Sequence, residues 1–385
     1  MFFLSGARQV GKTTSAQQFA ESYGESFYFN WDNQRDRALI LQGPDALAAT
    51  INLDQLRVMP SVCILDEIHK YGDWKNFLKG LFDTAGNHLK ILVTGSDRLD
   101  VFKTGGDSLM GRYFSYRLHP LSVGELINPE IPSGTLLRPQ ASLPDHEWDT
   151  LLSFGGFPEP FLKRNIRFSN RWQKTRSRQL LKEDLRDLTR IRELGQIEIL
   201  AELIIQRAGQ LTSFASLARS LNTSPDSARR WMSTLEALYF CFTVRPWHKN
   251  VSRSLRKEPK FYVWDWSVLK DRGARHENLV ASALLKSVHT WTDNGLGEFE
   301  LFFLRTKDQK EVDFLVSRDG APWFLVEVKT SGKASLSPNL PYFQQAVGAE
   351  HAFQVAFDLP YVARDCFSAD RPLIVPARTF LSQLI

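Results

Sequence analysis

The sequence predicts an α/β chain in three successive parts: a parallel sheet covered by helices, a helical middle, and a further α/β unit at the end. Three observations predict it. Apolar strands alternate with helical stretches over residues 1–122. A helix-turn-helix pattern fills the stretch 196–258, and strands return with an apolar helix over 259–385. At 385 residues the chain is also too long for one ordinary core.

In the first part the strand candidates are FFLSG (2–6), SFYFN (26–30), SVCILDE (61–67) and KILVTGS (90–96). Continuous apolar strands of this kind are buried on both faces, as in a sheet with helices on either side. Residues 15–22 and 74–84 read as amphipathic helices between them.

Directly after the first strand comes GARQVGKTT, comprising Gly6, Ala7, Arg8, Gln9, Val10, Gly11, Lys12, Thr13 and Thr14. This is the phosphate-binding loop pattern in its proper setting, after a strand and opening a helix. Glycines let successive backbone N–H groups curl around phosphates. Lys12 neutralises the β- and γ-phosphate charge, the Thr13 hydroxyl ligates Mg²⁺, and the helix adds its positive end. The strand of residues 62–67 ends in two carboxylates. Asp66 is expected to hold Mg²⁺ and Glu67 to orient and polarise the attacking water. A third strand ends in Thr94-Gly95-Ser96. Ser96, ahead of Thr94, is the candidate sensor of the γ-phosphate. The three elements together predict nucleotide hydrolysis, with ATP and Mg²⁺ as cofactors.

From 123 to 195 the pattern is helical and loop-rich, with a Pro/Gly-dense stretch over 129–144. Residues 212–247 follow. Phe214, Leu217, Ala218 and Leu221 mark one helix face, Asn222-Thr223-Ser224 a turn, and Pro225 the first position of a second helix. Trp231, Leu235 and Leu238 form its apolar face, and a strand-like wing follows. A winged helix-turn-helix of this kind can set its second helix in a DNA major groove, with Arg229 and Arg230 as the contacting residues. Winged helices also serve as protein-interaction modules, and that reading stays open.

Charge is unevenly spread around a mild net +5. Residues 163–178 hold seven cations and no carboxylate, and 245–260 hold six cations against Glu258 alone. Such runs can follow a phosphate backbone, with Trp172 and Trp247 available for stacking, or can be solvated helix faces.

In the last part, His276-Glu277-Asn278 opens an apolar helix, Asp313 starts the strand 311–316, and Glu327 and Lys329 alternate along the strand 324–329. Alternation places Glu327 and Lys329 on the same side of the strand. The arrangement resembles the D-x(n)-(D/E)-x-K signature of the restriction-endonuclease fold. That resemblance implies a divalent metal shared by Asp313 and Glu327, Lys329 at the developing phosphate charge, Glu277 contributing from the helix, and Gln344 as a weaker addition. The domain either cuts or binds without cutting.

GARQVGKTT, LDEIHK followed by DW, LVTGS and GRYFSYRLHPLSVGEL together resemble the AAA+-related P-loop ATPases common in archaea and bacteria. The resemblance covers nearly the whole chain. It implies a P-loop core over 1–122, a helical lid over 123–195, a winged helix-turn-helix over 196–258 and a restriction-endonuclease-like domain over 259–385. It also implies a homo-oligomer in which Arg112 serves as an arginine finger in the neighbouring subunit; the alternative for Arg112 is a surface arginine. Relatives usually carry a few dozen residues ahead of the first strand, some of which hold the adenine. Met1 abuts that strand here, so either the start is misplaced or the base pocket is incomplete.

No apolar run approaches the roughly 18 residues that span a bilayer, and the opening MFFL is too short for a signal-peptide core. Cys63, Cys241 and Cys366 are scattered, which makes neither a zinc site nor a disulfide framework and suits the cytoplasm. The leading expectation is therefore an ATPase coupled to DNA binding or processing. A nucleotide-gated scaffold for protein partners and an ATP-regulated, metal-dependent endonuclease are the alternatives.

Overall fold

A computed structural model of the chain describes residues 1–53, 59–95, 109–131, 134–184, 194–248, 258–333 and 335–385. These form two compact units, Met1–His119 and Pro120–Ile385.

In the first unit, β1 (Phe2–Gly6), β2 (Ser26–Asn30), β3 (Ser61–Asp66), β4 (Leu89–Gly95) and β5 (Phe114–Leu118) make an all-parallel sheet in the order β2-β3-β4-β1-β5. Helices α1 (Lys12–Glu21), α2 (Gln34–Ile40), α3 (Pro44–Thr50) and α4 (Trp74–Ala85) connect the first four strands. Every residue of β3 is buried, and its alternation explains how. Cys63 and Leu65 join Phe3, Trp74, Phe77, Leu78 and Leu81 on one face, while Val62 and Ile64 meet Ala16 and Ala20 of α1 on the other. Because β4 lies between β1 and β3, with Asp66 opposite Thr94 and Ser5 opposite Gly95, the carboxyl ends of the three strands lie side by side. Ligands of open α/β sheets bind at that edge. The strand β5 carries no continuous apolar run to betray it, since FSYRL is half-exposed.

The second unit begins with α5 (Val123–Ile127), α6 (Asp145–Phe154), α7 (Pro158–Lys163), α8 (Ile166–Arg178) and α9 (Leu194–Gln206). The helix pair α10 (Phe214–Ser220) and α11 (Pro225–Ala237) follows. Pro225 occupies the first turn as expected, and Ser213 and Ser224 cap the two helices, accepting hydrogen bonds from the backbone of Ser216 and Ser227. Leu217, Ala218, Leu221, Trp231 and Leu235 are buried between the two helices and the rest of the unit.

The remaining elements are β6 (Cys241–Pro246), β7 (Lys260–Val263), α12 (Arg272–Asp293), β8 (Phe299–Arg305), β9 (Glu311–Arg318), β10 (Ala321–Lys329), α13 (Asn339–Val347), β11 (His351–Ala356), β12 (Leu373–Pro376) and α14 (Ala377–Ser382). All seven strands belong to one sheet, ordered β12-β11-β10-β9-β8-β6-β7. The β6–β7 hairpin after the helix pair is thus continuous with the later strands: β6 runs parallel to β8, with Arg245 opposite Phe302 and Pro246 opposite Phe303. Pairing between strands some 55 residues apart leaves no mark in a local pattern, so the sheet crosses the division expected at 258/259.

Candidate functional site

The phosphate loop is shaped by its glycines. A Cβ on Gly6 would collide with the Leu118 carbonyl oxygen, and Gly11, at φ +107°, caps α1 in a left-handed conformation. Lys12 is buried, and its Nζ donates to the carbonyls of Gly6 and Ala7 at 2.9 Å each. The amino end of the ten-residue α1 faces the same loop.

Asp66 gathers three hydroxyls from three different elements. Thr13 Oγ1 and Tyr28 Oη each donate to Asp66 Oδ2 at 2.8 Å, and Thr94 Oγ1 donates to Oδ1 at 2.5 Å. Burial and the Asp66 carboxylate push the Tyr28 phenol well above its ordinary range. The Thr94 hydroxyl is fully buried and occupied in this bond, so its place is that of a support for Asp66. Ser96 lies outside the described residues. Glu67 leaves the strand at φ +56°, where its N–H donates to the Thr94 carbonyl. Lys70 Nζ lies 3.3 Å from Glu67 Oε2 and 2.6 Å from Asp32 Oδ2. Burial works to lower the Lys70 pKa, but the two carboxylates hold it above its ordinary value. Tyr28 falls in no motif, and Lys70 closes LDEIHK without a role read for it in the sequence.

Arg112 lies at the amino end of the sheet, the end remote from Gly6: its carbonyl accepts from the Met1 amino group, and Phe114 pairs with Phe2. Its Nε donates to Asp83 Oδ1 at 3.0 Å. A strand length therefore separates Arg112 from the phosphate loop of its own chain.

In the second unit Arg229 and Arg230 are both exposed on α11, and Arg229 stacks over Phe214 at 5.0 Å. The basic run on α7 and α8 corrects one expectation. Trp172 is interior, 5.3 Å from Phe157, so it offers no stacking face. Arg176 is also buried, 4.2 Å above the Phe157 ring, because helical periodicity turns that side of α8 inward. Trp247 is half-buried and packs against the core around Leu304 and Leu315. Lys163, Arg164, Arg167, Arg171, Lys174 and Arg178 remain exposed.

The structure brings Glu277, Asp313, Glu327 and Lys329 into one polar cluster. Lys329 Nζ donates to Glu327 Oε1 at 2.8 Å, and Asp313 Oδ2 accepts from the Val328 N–H at 2.8 Å. Burial, then the Asp313 charge, raises Glu277 and Glu327 to about 7. Gln344 is elsewhere, donating to the Asp370 and Glu350 carbonyls. Three residues missed in the sequence complete the cluster. Lys260, 3% exposed, lies 2.6 Å from Glu311, 3.5 Å from Glu277 and 3.6 Å from Asp313, and Tyr262 Oη donates to Glu277 at 2.7 Å. Among the described residues, no group of three or more His, Cys, Asp or Glu side chains is arranged to hold a metal ion.

Residues 1–127 match the profile of an AAA domain, residues 145–272 that of a domain of unknown function (DUF8612) and residues 272–359 that of another (DUF4143). Uncharacterised proteins of Mycobacterium tuberculosis and Mycobacterium bovis are each 25% identical over 88% of this chain and 72% of their own. One from Methanocaldococcus jannaschii is 24% identical over 81% of this chain and 71% of its own. A solved structure described as the structural basis for katanin self-assembly overlays 61% of this chain and 71% of that one at 17% identity, with a TM-score of 0.27. So loose an overlay carries no argument. The AAA match, on a parallel sheet whose carboxyl edge gathers Lys12, Thr13 and Asp66, supports a nucleotide-binding ATPase. Among the described residues no helix is long and apolar enough to cross a membrane.

Proposed function

We propose that the chain hydrolyses ATP with Mg²⁺ and couples its nucleotide state to DNA binding. The observation that carries the first half is the meeting of Thr13 and Asp66 at 2.8 Å beside the Lys12 loop. Thr13 and Asp66 would hold Mg²⁺, which when bound supplies charge neutralisation on the phosphates. The rest falls to the chain. Backbone N–H groups of residues 7–14 cradle the phosphates, Lys12 turns from the Gly6 and Ala7 carbonyls to them, and Tyr28 and Thr94 fix the Asp66 carboxylate. Glu67 orients the attacking water, and Lys70 holds Glu67. Arg112, remote from its own loop, acts on the nucleotide of a neighbouring copy in a homo-oligomer.

The DNA half rests on a winged-helix reading of α10, α11 and the β6–β7 hairpin. Arg229 and Arg230 stand exposed on the second helix, and the exposed cations of α7 and α8 extend the basic surface. ATP turnover measured alone and with single-stranded, duplex and branched DNA tests the proposal. Mg²⁺-dependent turnover that Lys12→Ala removes is expected; a wild type inert under every condition overturns it. A second reading keeps the nucleotide switch but gives it protein partners and a C-terminal domain that binds without cutting. Lys260 among the carboxylates favours that last part.

A further inference from the structure

The nuclease-like signature calls for a divalent cation between Asp313 and Glu327, with Glu277 nearby. Two ammonium groups lie against these carboxylates: Lys329 on Glu327, and Lys260 on Asp313, Glu277 and Glu311. Lys260 comes from β7, three strands away from β9 in the sheet order, and reaches the cluster with its ammonium 5.5 Å over the Phe303 ring of β8. Its Nζ then lies within 3.6 Å of carboxylate oxygens from Glu277, Glu311 and Asp313, contributed by one helix and one strand. The side chain is 3% exposed.

We infer that the Lys260 ammonium is the resident cation of this cluster, and that the C-terminal domain accordingly binds no divalent metal there and does not cleave phosphodiesters. This extends the second reading above. Three further observations support it. Its separations of 2.6 to 3.6 Å from the three carboxylates are those of paired ammonium and carboxylate groups. Several of the acceptors are already committed: Asp313 Oδ2 takes the Val328 N–H, Glu277 takes the Tyr262 hydroxyl, Glu311 also pairs with Arg305, and Glu327 Oε1 takes the Lys329 ammonium, which leaves Glu327 Oε2 as the buried oxygen with no hydrogen bond. Finally, a buried ammonium repels a second cation placed among the same carboxylates, and little solvent is present to screen it.

Lysine at this place does what a metal would do for folding. It neutralises carboxylates that would otherwise repel, and it fastens β7 to β9 and α12. Unlike a metal, it offers no open coordination position for water, so it supplies no nucleophile.

Mn²⁺ binding to the full-length chain, followed through the free-ion paramagnetic resonance signal, tests the assignment. A Thr13→Ala/Asp66→Asn background in every arm removes the nucleotide-site metal, and no nucleotide is added, so failure here is distinct from failure of the ATPase reading. The parent should bind no Mn²⁺ that Asp313→Asn removes. Lys260→Met should gain one Mn²⁺ per chain, at least tenfold tighter than any parental binding, and Asp313→Asn on top should abolish it. If Lys260→Met does not fold, Lys260→Gln, which keeps a hydrogen-bonding head, takes its place. Mn²⁺ binding by the parent that Asp313→Asn eliminates would overturn the inference. So would folded Lys260 variants that gain none, or metal-dependent plasmid nicking by the wild type that Asp313→Asn and Lys329→Ala remove.

Discussion

Thr13 Oγ1 donates to Asp66 Oδ2 at 2.8 Å across 53 positions of sequence, and the same oxygen accepts from Tyr28. Two of the groups that meet on this carboxylate, Tyr28 and Thr94, would stand behind the metal rather than on it. Such outer partners typically contribute about 10–100-fold to metal affinity. Tyr28→Phe and Thr94→Val should therefore raise the Mg²⁺ concentration for half-maximal ATP turnover by about tenfold or more. Turnover at saturating Mg²⁺ should move far less. Unchanged Mg²⁺ titrations in both variants would exclude this role.

Arg112 is paired with Asp83 at the sheet end away from Gly6, so under the proposed mechanism it would act on the nucleotide of a second copy. Arg112→Ala should lower turnover by about 10³-fold or more while sparing ATP binding. Mixing Arg112→Ala with Lys12→Ala chains should restore part of the activity, because mixed interfaces recombine an intact loop with an intact arginine. Mixtures as inactive as either parent would count against action between copies.

Arg229 and Arg230 are the exposed cations of α11. If both contact phosphates, replacing each by alanine should weaken DNA binding for all sequences alike. Each should also reduce the slope of log affinity against log salt by about 0.9. Affinity that ignores salt between 50 and 200 mM, a range over which phosphate contacts are felt, would remove the electrostatic basis of the proposal.

His276 stacks parallel on Phe357, with ring centroids 3.9 Å apart and planes within 5°. Burial first, then Arg272 and Arg275, lowers its pKa to about 4. The unfolded chain takes up this proton near 6.5 and the folded chain does not, so stability is lost as pH falls from about 6.5 towards 4. After allowance for screening the loss is on the order of 1–2 kcal/mol. His276→Phe keeps a flat ring and should flatten this part of the pH profile in urea melts at pH 7 and pH 5. Equal pH dependence in variant and wild type would show that another group titrates.

Much of the nucleotide site was legible because its chemistry is local. Lys12 and Thr13 are fixed by a glycine-rich loop, and Asp66 by the end of an apolar strand. Tyr28 was not legible, since a tyrosine on a half-exposed strand carries no signal until β2 is set beside β3. Lys260 was read as one cation in a basic run; only the folded sheet turns it inward to Glu311 and Asp313. Trp172 and Arg176 were misread for the converse reason. A run of cations masks the helical period that buries one of them.

Among the described residues, the β6–β7 hairpin joins the larger sheet through two residue pairs, Arg245 with Phe302 and Pro246 with Phe303, followed by the Trp247 N–H on the Phe303 carbonyl. Mechanically this is a short seam, and Lys260 is a rivet set across it. A pull on α11 would load the seam end-on, peeling its few rungs one after another instead of shearing them together. With the rivet in place, the helix pair and the terminal strands would swing as a single lever arm. Without it, the load would pass to Asn278 of α12, whose amide grips both the N–H and the carbonyl of Val263 on β7.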